Sequence, residues 1–121
     1  MRKIVLACTL AIAAFASELG YEAVMAKVGK EAMVLEIGAS TCKACKEMKK
    51  TIDALKKENT DLPVYIIDLR ENREAAKTFK IQMIPTQVVL DKNGKEIHRH
   101  IGGVSSADVL KMVELSKAEE R

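Results

Sequence analysis

Cys42 and Cys45 stand three positions apart within Ser40-Thr41-Cys42-Lys43-Ala44-Cys45-Lys46, where an apolar run gives way to a helical pattern. Thiols at this spacing lie one helical turn apart, close enough to form and open a disulfide. The preceding run, Met33-Val34-Leu35-Glu36-Ile37, has the composition of a strand buried on both faces of a parallel sheet. The pattern that follows predicts a helix from about Cys42 to Glu58, with Ser40 or Thr41 capping its first turn. Cys42 then falls near the helix start, where unpaired backbone N–H groups and the helix dipole favour a thiolate. That placement makes Cys42 the attacking thiol and Cys45, one turn deeper, the thiol that resolves a mixed disulfide.

Other chemistries use the same pair of residues. A zinc site needs two more ligands at finger-like spacing, and beyond the leader described below only His98 and His100 are available, about 50 residues on. Haem attachment needs a histidine directly after the second cysteine, where Lys46 stands. A copper-binding chaperone is the alternative from a different class. It would use Cys42, Cys45 and one of His98 or His100, which share a strand face and whose thiolate partners suit Cu(I). Against it, neither histidine follows a metal-ligand spacing, and both read as exposed residues of an edge strand. The strand–CxxC–helix setting favours a redox dithiol with no metal and no cofactor beyond the Cys42–Cys45 disulfide itself.

The elements that position this pair form one domain of 121 residues with 48% hydrophobic content and 3% aromatics, so aliphatic side chains must build the core. Residues 1–16 read as a secretory leader: Arg2-Lys3, an apolar stretch from Ile4, and Ala14-Phe15-Ala16 as a small-x-small cleavage site before Ser17. The stretch is short for a bilayer span, although retention as an anchor is an alternative. Val5-Leu6-Ala7-Cys8 also has the form of a lipoprotein box, with too short an apolar region before it. Cleavage after Ala16 removes Arg2, Lys3 and Cys8. The net charge then falls from +3 to about +1, which points to no nucleic-acid or anionic-membrane partner. The two remaining cysteines would both belong to the motif, in an oxidising compartment such as the periplasm where an idle pair closes.

Along the remaining chain, residues 17–30 carry a helical stripe of Leu19, Val24, Met25 and Val28 ended by Gly29. In the Met33–Ile37 strand, Glu36 is the odd residue: a buried charge costs several kcal/mol unless paired or protonated, so its pKa should rise. It is either a wetted or lysine-paired strand end, or a group that exchanges protons with the dithiol. The next helix has its apolar stripe at Ala44, Met48, Ile52 and Leu55 beneath a lysine-rich outer face. Pro63–Asp68 reads as a second strand and Glu71–Phe79 as a helix with Ala75, Ala76 and Phe79 inward. Thr86–Leu90, the turn Asp91-Lys92-Asn93-Gly94 and Glu96–Ile101 form an antiparallel hairpin entered at Pro85. After Gly102-Gly103, Ser105 or Ser106 caps a last helix, Ala107 to about Lys117, with Val109, Leu110, Met112 and Val113 inward. The order after the leader is α-β-α-β-α-β-β-α.

This order, with a dithiol after the first strand and a proline before the hairpin, resembles the thioredoxin family over essentially the whole of residues 17–121. The resemblance implies an α/β, thioredoxin-like fold with a central mixed sheet of about four strands flanked by helices. It makes Cys42 the attacking and Cys45 the resolving thiol, and places Glu36 where the family keeps a buried acid that accepts the resolving cysteine's proton. Ile84-Pro85-Thr86 looks like the cis-proline segment that receives an extended substrate beside Thr41 and Gly102, and Asn93-Gly94 matches the family's hairpin. Thr41 stands where the family usually has tryptophan, and Lys43-Ala44 replaces Gly-Pro, so no redox potential carries over. No lysine occurs in Val64-Tyr65-Ile66-Ile67 to hold the acid ionised. The implied activity is thiol–disulfide exchange on extracytoplasmic client proteins. Ile84 before the proline, as in reducing thioredoxins, favours reduction. By resemblance to exported reductases, electrons would come from a membrane thiol carrier of the DsbD or CcdA type, and the protein would act as a monomer.

Overall fold

The computed structural model describes residues 19–118, and the leader expected at residues 1–16 lies outside them. The chain runs through α1 (Tyr21–Lys27), β1 (Met33–Gly38), α2 (Lys43–Glu58), β2 (Val64–Asp68), α3 (Glu74–Thr78), β3 (Thr86–Leu90), β4 (Glu96–Ile101) and α4 (Ser106–Ser116). The strands form one sheet in the order β2-β1-β3-β4. The β1–β2 pair is parallel, whereas β1–β3 and β3–β4 are antiparallel. β1 is buried along its whole length, which explains its unbroken apolar run, and β4 is a half-exposed edge.

Two apolar layers sandwich the sheet. Val34, Val64 and Val89 meet Met48, Ile52 and Leu55 of α2 and Val109, Met112 and Val113 of α4. On the other face, Met33, Leu35, Ile37, Ile67, Val88 and Leu90 pack with Val24 of α1 and Ala75 of α3. Strand alternation divides these residues, because successive side chains point to opposite faces.

Several local expectations need correction. The buried stripe of α2 is Cys45, Met48, Ile52 and Leu55, and Ala44 lies outside it. Leu19 and Leu110 are exposed, at 44% and 42%. α1 begins only at Tyr21, and Leu110 falls on the outer side of α4, whose inward positions are filled by Val109, Met112, Val113 and Ser116. α3 is a short helix, and the loop after it is held from β4: Arg99 donates to the Phe79 carbonyl at 2.6 Å and to that of Lys80 at 3.2 Å. Among the described residues, no helix is long and apolar enough to cross a membrane.

Candidate active site

β1 ends at Gly38, and a tight turn carries the chain into α2, with the Cys42 N–H donating to the Ala39 carbonyl at 3.0 Å. Cys42 is extended, at φ −85° and ψ 123°, and occupies the N-cap position itself. Its sulfur accepts the Cys45 backbone N–H at 3.3 Å, so the cap expected of Ser40 or Thr41 is supplied by the reactive residue. The physical reason is economy of orphan donors: a first-turn N–H takes whichever acceptor the N-cap side chain offers, and here that acceptor is Sγ. Both thiols are free.

The two sulfurs differ in environment. Cys42 reaches solvent and its pKa is held below that of an ordinary thiol, first by the Cys45 thiol and then by the Cys45 backbone N–H, both hydrogen-bonding its sulfur. Cys45 is 9% exposed, and burial pushes its pKa up to about 11, with the Cys42 hydrogen bond adding to the effect. Gly38 makes room for this buried thiol: a Cβ built there would lie 2.7 Å from Cys45 Sγ. The negative charge of Glu36 raises the pKa of both cysteines.

Glu36 is 3% exposed in the centre of the sheet, beside Ile66 on β2 and Gln87 on β3. It is not a wetted strand end, and no lysine among the described residues pairs with it. Its Oε2 accepts Gln87 Nε2 at 2.9 Å, while Oε1 has no hydrogen-bond partner among the described residues. Burial raises its pKa to about 7, against the opposing pull of the Gln87 hydrogen bond. Glu36, Gly38 and Cys45 line one cavity of about 490 Å³, with Lys46 at its wall.

The register sets the proline segment beside this site. Thr86 stands opposite Ile37 on one side and Ile101 on the other, so Pro85 and Gly102 come at the end of the sheet where Gly38 leads to the dithiol. The Ile84–Pro85 peptide bond is cis, and the Gly102 N–H donates to the Pro85 carbonyl at 2.8 Å. Gly102 has φ +102°, a conformation in which a side chain is strained. Thr41 is exposed directly before Cys42, and Ile84 is half-buried. The Thr86 side chain turns inward, with its hydroxyl donating to the Met83 carbonyl at 2.6 Å, so that residue offers backbone alone.

The histidines are not brought to the thiols as a metal site requires: no group of three His, Cys, Asp or Glu able to hold a metal ion occurs among the described residues. His98 is exposed on the edge strand, as expected. His100 departs from that expectation, because it is half-buried with Nδ1 2.9 Å from Gln87 Oε1. Gly38 and Gln87 are site residues that sequence reasoning passed over, and His100 was weighed there only as a metal ligand. For Gln87 a signal was present, since an amide inside an otherwise apolar strand demands a buried partner.

A free dithiol at a helix start, with one thiol open to solvent and activated and the other buried beside an acid, on a four-stranded mixed sheet, defines a thiol–disulfide oxidoreductase of thioredoxin-like fold. The family model described as Thioredoxin matches residues 13–115. A thioredoxin of Echinococcus granulosus is 29% identical over 86 residues, covering 71% of this chain and 78% of that one. Thioredoxin-1 of Drosophila yakuba is 31% identical over 84 residues, 69% of this chain and 74% of its own. Among solved structures, chloroplastic thioredoxin z shares the fold at a TM-score of 0.69 and 20% identity, over 84% of this chain and 94% of that one. The chain belongs to the thioredoxin family, whose members act on client proteins that carry disulfides.

Proposed function

We propose that the protein reduces disulfides of extracytoplasmic client proteins, with Cys42 as nucleophile, Cys45 as resolving thiol and Glu36 as proton acceptor. The Cys42 thiolate attacks one sulfur of the client disulfide, forming a mixed disulfide and releasing the other client sulfur as a thiolate. Cys45 then loses its proton to Glu36 and attacks Cys42 Sγ, which frees the second client sulfur and closes the Cys42–Cys45 disulfide. Two electrons pass to the client, and its two thiolates take up the protons given by Cys42 and Cys45. An external dithiol, for which a membrane thiol carrier of the DsbD or CcdA type is the candidate, must reopen the disulfide. Ile84 before Pro85 and the leader pattern of residues 1–16 support the reducing direction and the compartment. Thr41, Ile84, the backbone of Thr86 and Gly102 would receive the client chain around Pro85.

One observation carries the assignment of the two thiols: Cys42, half-buried and open to solvent, has the lowered pKa, and Cys45, buried, the raised one. Cys42→Ser should abolish reduction of a protein disulfide such as that of insulin, whereas Cys45→Ser should accumulate a stable mixed disulfide with its client, visible by non-reducing electrophoresis and mass spectrometry. A Cys42→Ser variant that still turns over, or a Cys45→Ser variant that traps nothing, would overturn the assignment.

A further inference from the structure

The acid behind the dithiol is the first member of a row that continues to the edge of the sheet. Glu36 of β1 stands opposite Gln87 of β3, and Gln87 stands opposite His100 of β4. Glu36 is two residues from Val34 and Gln87 two residues from Val89, so the row lies on the face that α2 and α4 cover. Gln87 is completely buried, and both ends of its amide are used. Nε2 donates to Glu36 Oε2, and Oε1 faces His100 Nδ1, each at 2.9 Å.

An amide has one donating and one accepting end, which fixes the sense of this chain. With Nε2 committed to the carboxylate, Oε1 requires a donor, so His100 presents Nδ1–H in this arrangement. Turning the amide over would set Oε1 against the carboxylate and leave Nδ1–H without an acceptor. With Nδ1–H presented to Oε1, His100 holds Gln87 in the orientation that donates to an ionised Glu36. Glu36 Oε2 is occupied as a result, and Oε1, unpartnered among the described residues, is the oxygen left to receive a proton.

We propose that Gln87 and His100 are positioning residues for the exchange reaction: His100, through Gln87, holds the Glu36 carboxylate with Oε2 bound and Oε1 free to take the Cys45 proton. The proposal rests on the reading of Glu36 as the proton acceptor. It also makes Glu36 responsive to the edge of the sheet. A positive charge placed on the His100 ring, two hydrogen bonds from the carboxylate, would favour the ionised acid. The groups facing His100 are Gln87 from β3, His98 on its own strand, and Asp108 and Lys111 of α4, which line a cavity of about 380 Å³ with it. Those facing Glu36 or its cavity are Tyr21 of α1, Cys42 at the N-cap of α2, Cys45, Lys46 and Lys49 of α2, Lys49 being paired with Asp53, Asp68 at the end of β2 and Glu71 beyond it.

The test is a carbon-13 titration of the Glu36 carboxyl in the reduced protein, its resonance assigned by its loss in Glu36→Gln. Losing the hydrogen bond to the ionised form should raise the Glu36 midpoint by about one pH unit in Gln87→Leu and in His100→Leu. His100→Asn, which keeps an N–H where Nδ1 lies, should move the midpoint back toward the wild type. The pH profile of disulfide reduction should shift in parallel, with kcat falling near neutral pH and KM for the client unchanged. A wild-type midpoint in a folded His100→Leu protein would overturn the proposal, as would a shift in His100→Asn as large as in His100→Leu. The proton-acceptor reading is tested separately by turnover of Glu36→Gln, whose failure would leave the titration result standing.

Discussion

At the residue scale, Glu36 shows most directly how burial is turned into chemistry. Its folded pKa, about 7, lies above the ordinary 4.5 because the centre of a sheet solvates a carboxylate poorly. Below about pH 4.5 the group is protonated in both folded and unfolded chains and costs nothing. As pH rises, the unfolded chain ionises first, so folding stability falls from about pH 4.5 to about 7 and then levels off. A gap of this size corresponds to roughly 3 kcal/mol. Glu36→Gln should therefore be the more stable protein at pH 8, by up to about 3 kcal/mol in denaturant unfolding, with the difference closing toward pH 4. The same variant should reduce disulfides more slowly near neutral pH than at high pH, where Cys45 can lose its proton to solvent; a positioned proton acceptor typically contributes roughly 10²–10⁴-fold. Equal stability and equal pH–rate profiles for the two proteins would remove Glu36 from the account. Cys42, Cys45 and Glu36 were all legible in the sequence, two by spacing and one as a charge in an apolar run. Gln87 and His100 were not, because their meaning lies in a cross-strand register that no local pattern fixes.

At the scale of elements, the site depends on how closely the end of β1 approaches the first turn of α2. The Gly38 position has no space for a side chain, since an added Cβ would meet the Cys45 Sγ at 2.7 Å and its Cβ at 3.0 Å. Gly38→Ala must displace α2 or turn the buried thiol away. It should cost about 1–3 kcal/mol as an overpacked contact, and it should slow resolution more than attack, so that the mixed disulfide accumulates. Wild-type stability together with wild-type turnover would contradict that contact. The strands were read within a residue of their positions, because their apolar runs are bounded by Pro63, Pro85, Asn93-Gly94 and Gly102. The helices were read less well. Period alone allowed Ala44 or Cys45 to face the core, and the packing of α2 on β1 chose the cysteine. The N-cap was assigned to the usual hydroxyl residues, whereas the turn after Gly38 delivers the Cys42 sulfur to the Cys45 N–H.

At the scale of the whole molecule, one sheet shared by two apolar layers makes the domain a single cooperative unit. Ile52, 1% exposed, lies in the layer beneath α2 and α4, and Leu35, fully buried, lies in the layer beneath α1 and α3. Replacing either by alanine should cost roughly 2–5 kcal/mol and leave one unfolding transition by circular dichroism. Two transitions would show that the layers fold independently. The four-stranded mixed sheet was legible from element order and the family's pattern, but the strand order is visible only in three dimensions: β1 and β3 are the two inner strands, and it is the end of β1 that delivers a buried thiol next to a buried acid. This architecture divides the labour of two chemically identical thiols. Rates of alkylation of the reduced protein, measured from pH 5 to 10 with peptide mapping, test it most directly. Cys42 should be labelled first at every pH, with an inflection below that of an ordinary thiol, while Cys45 should stay unlabelled until well above pH 9. Faster labelling of Cys45 at neutral pH would contradict the account.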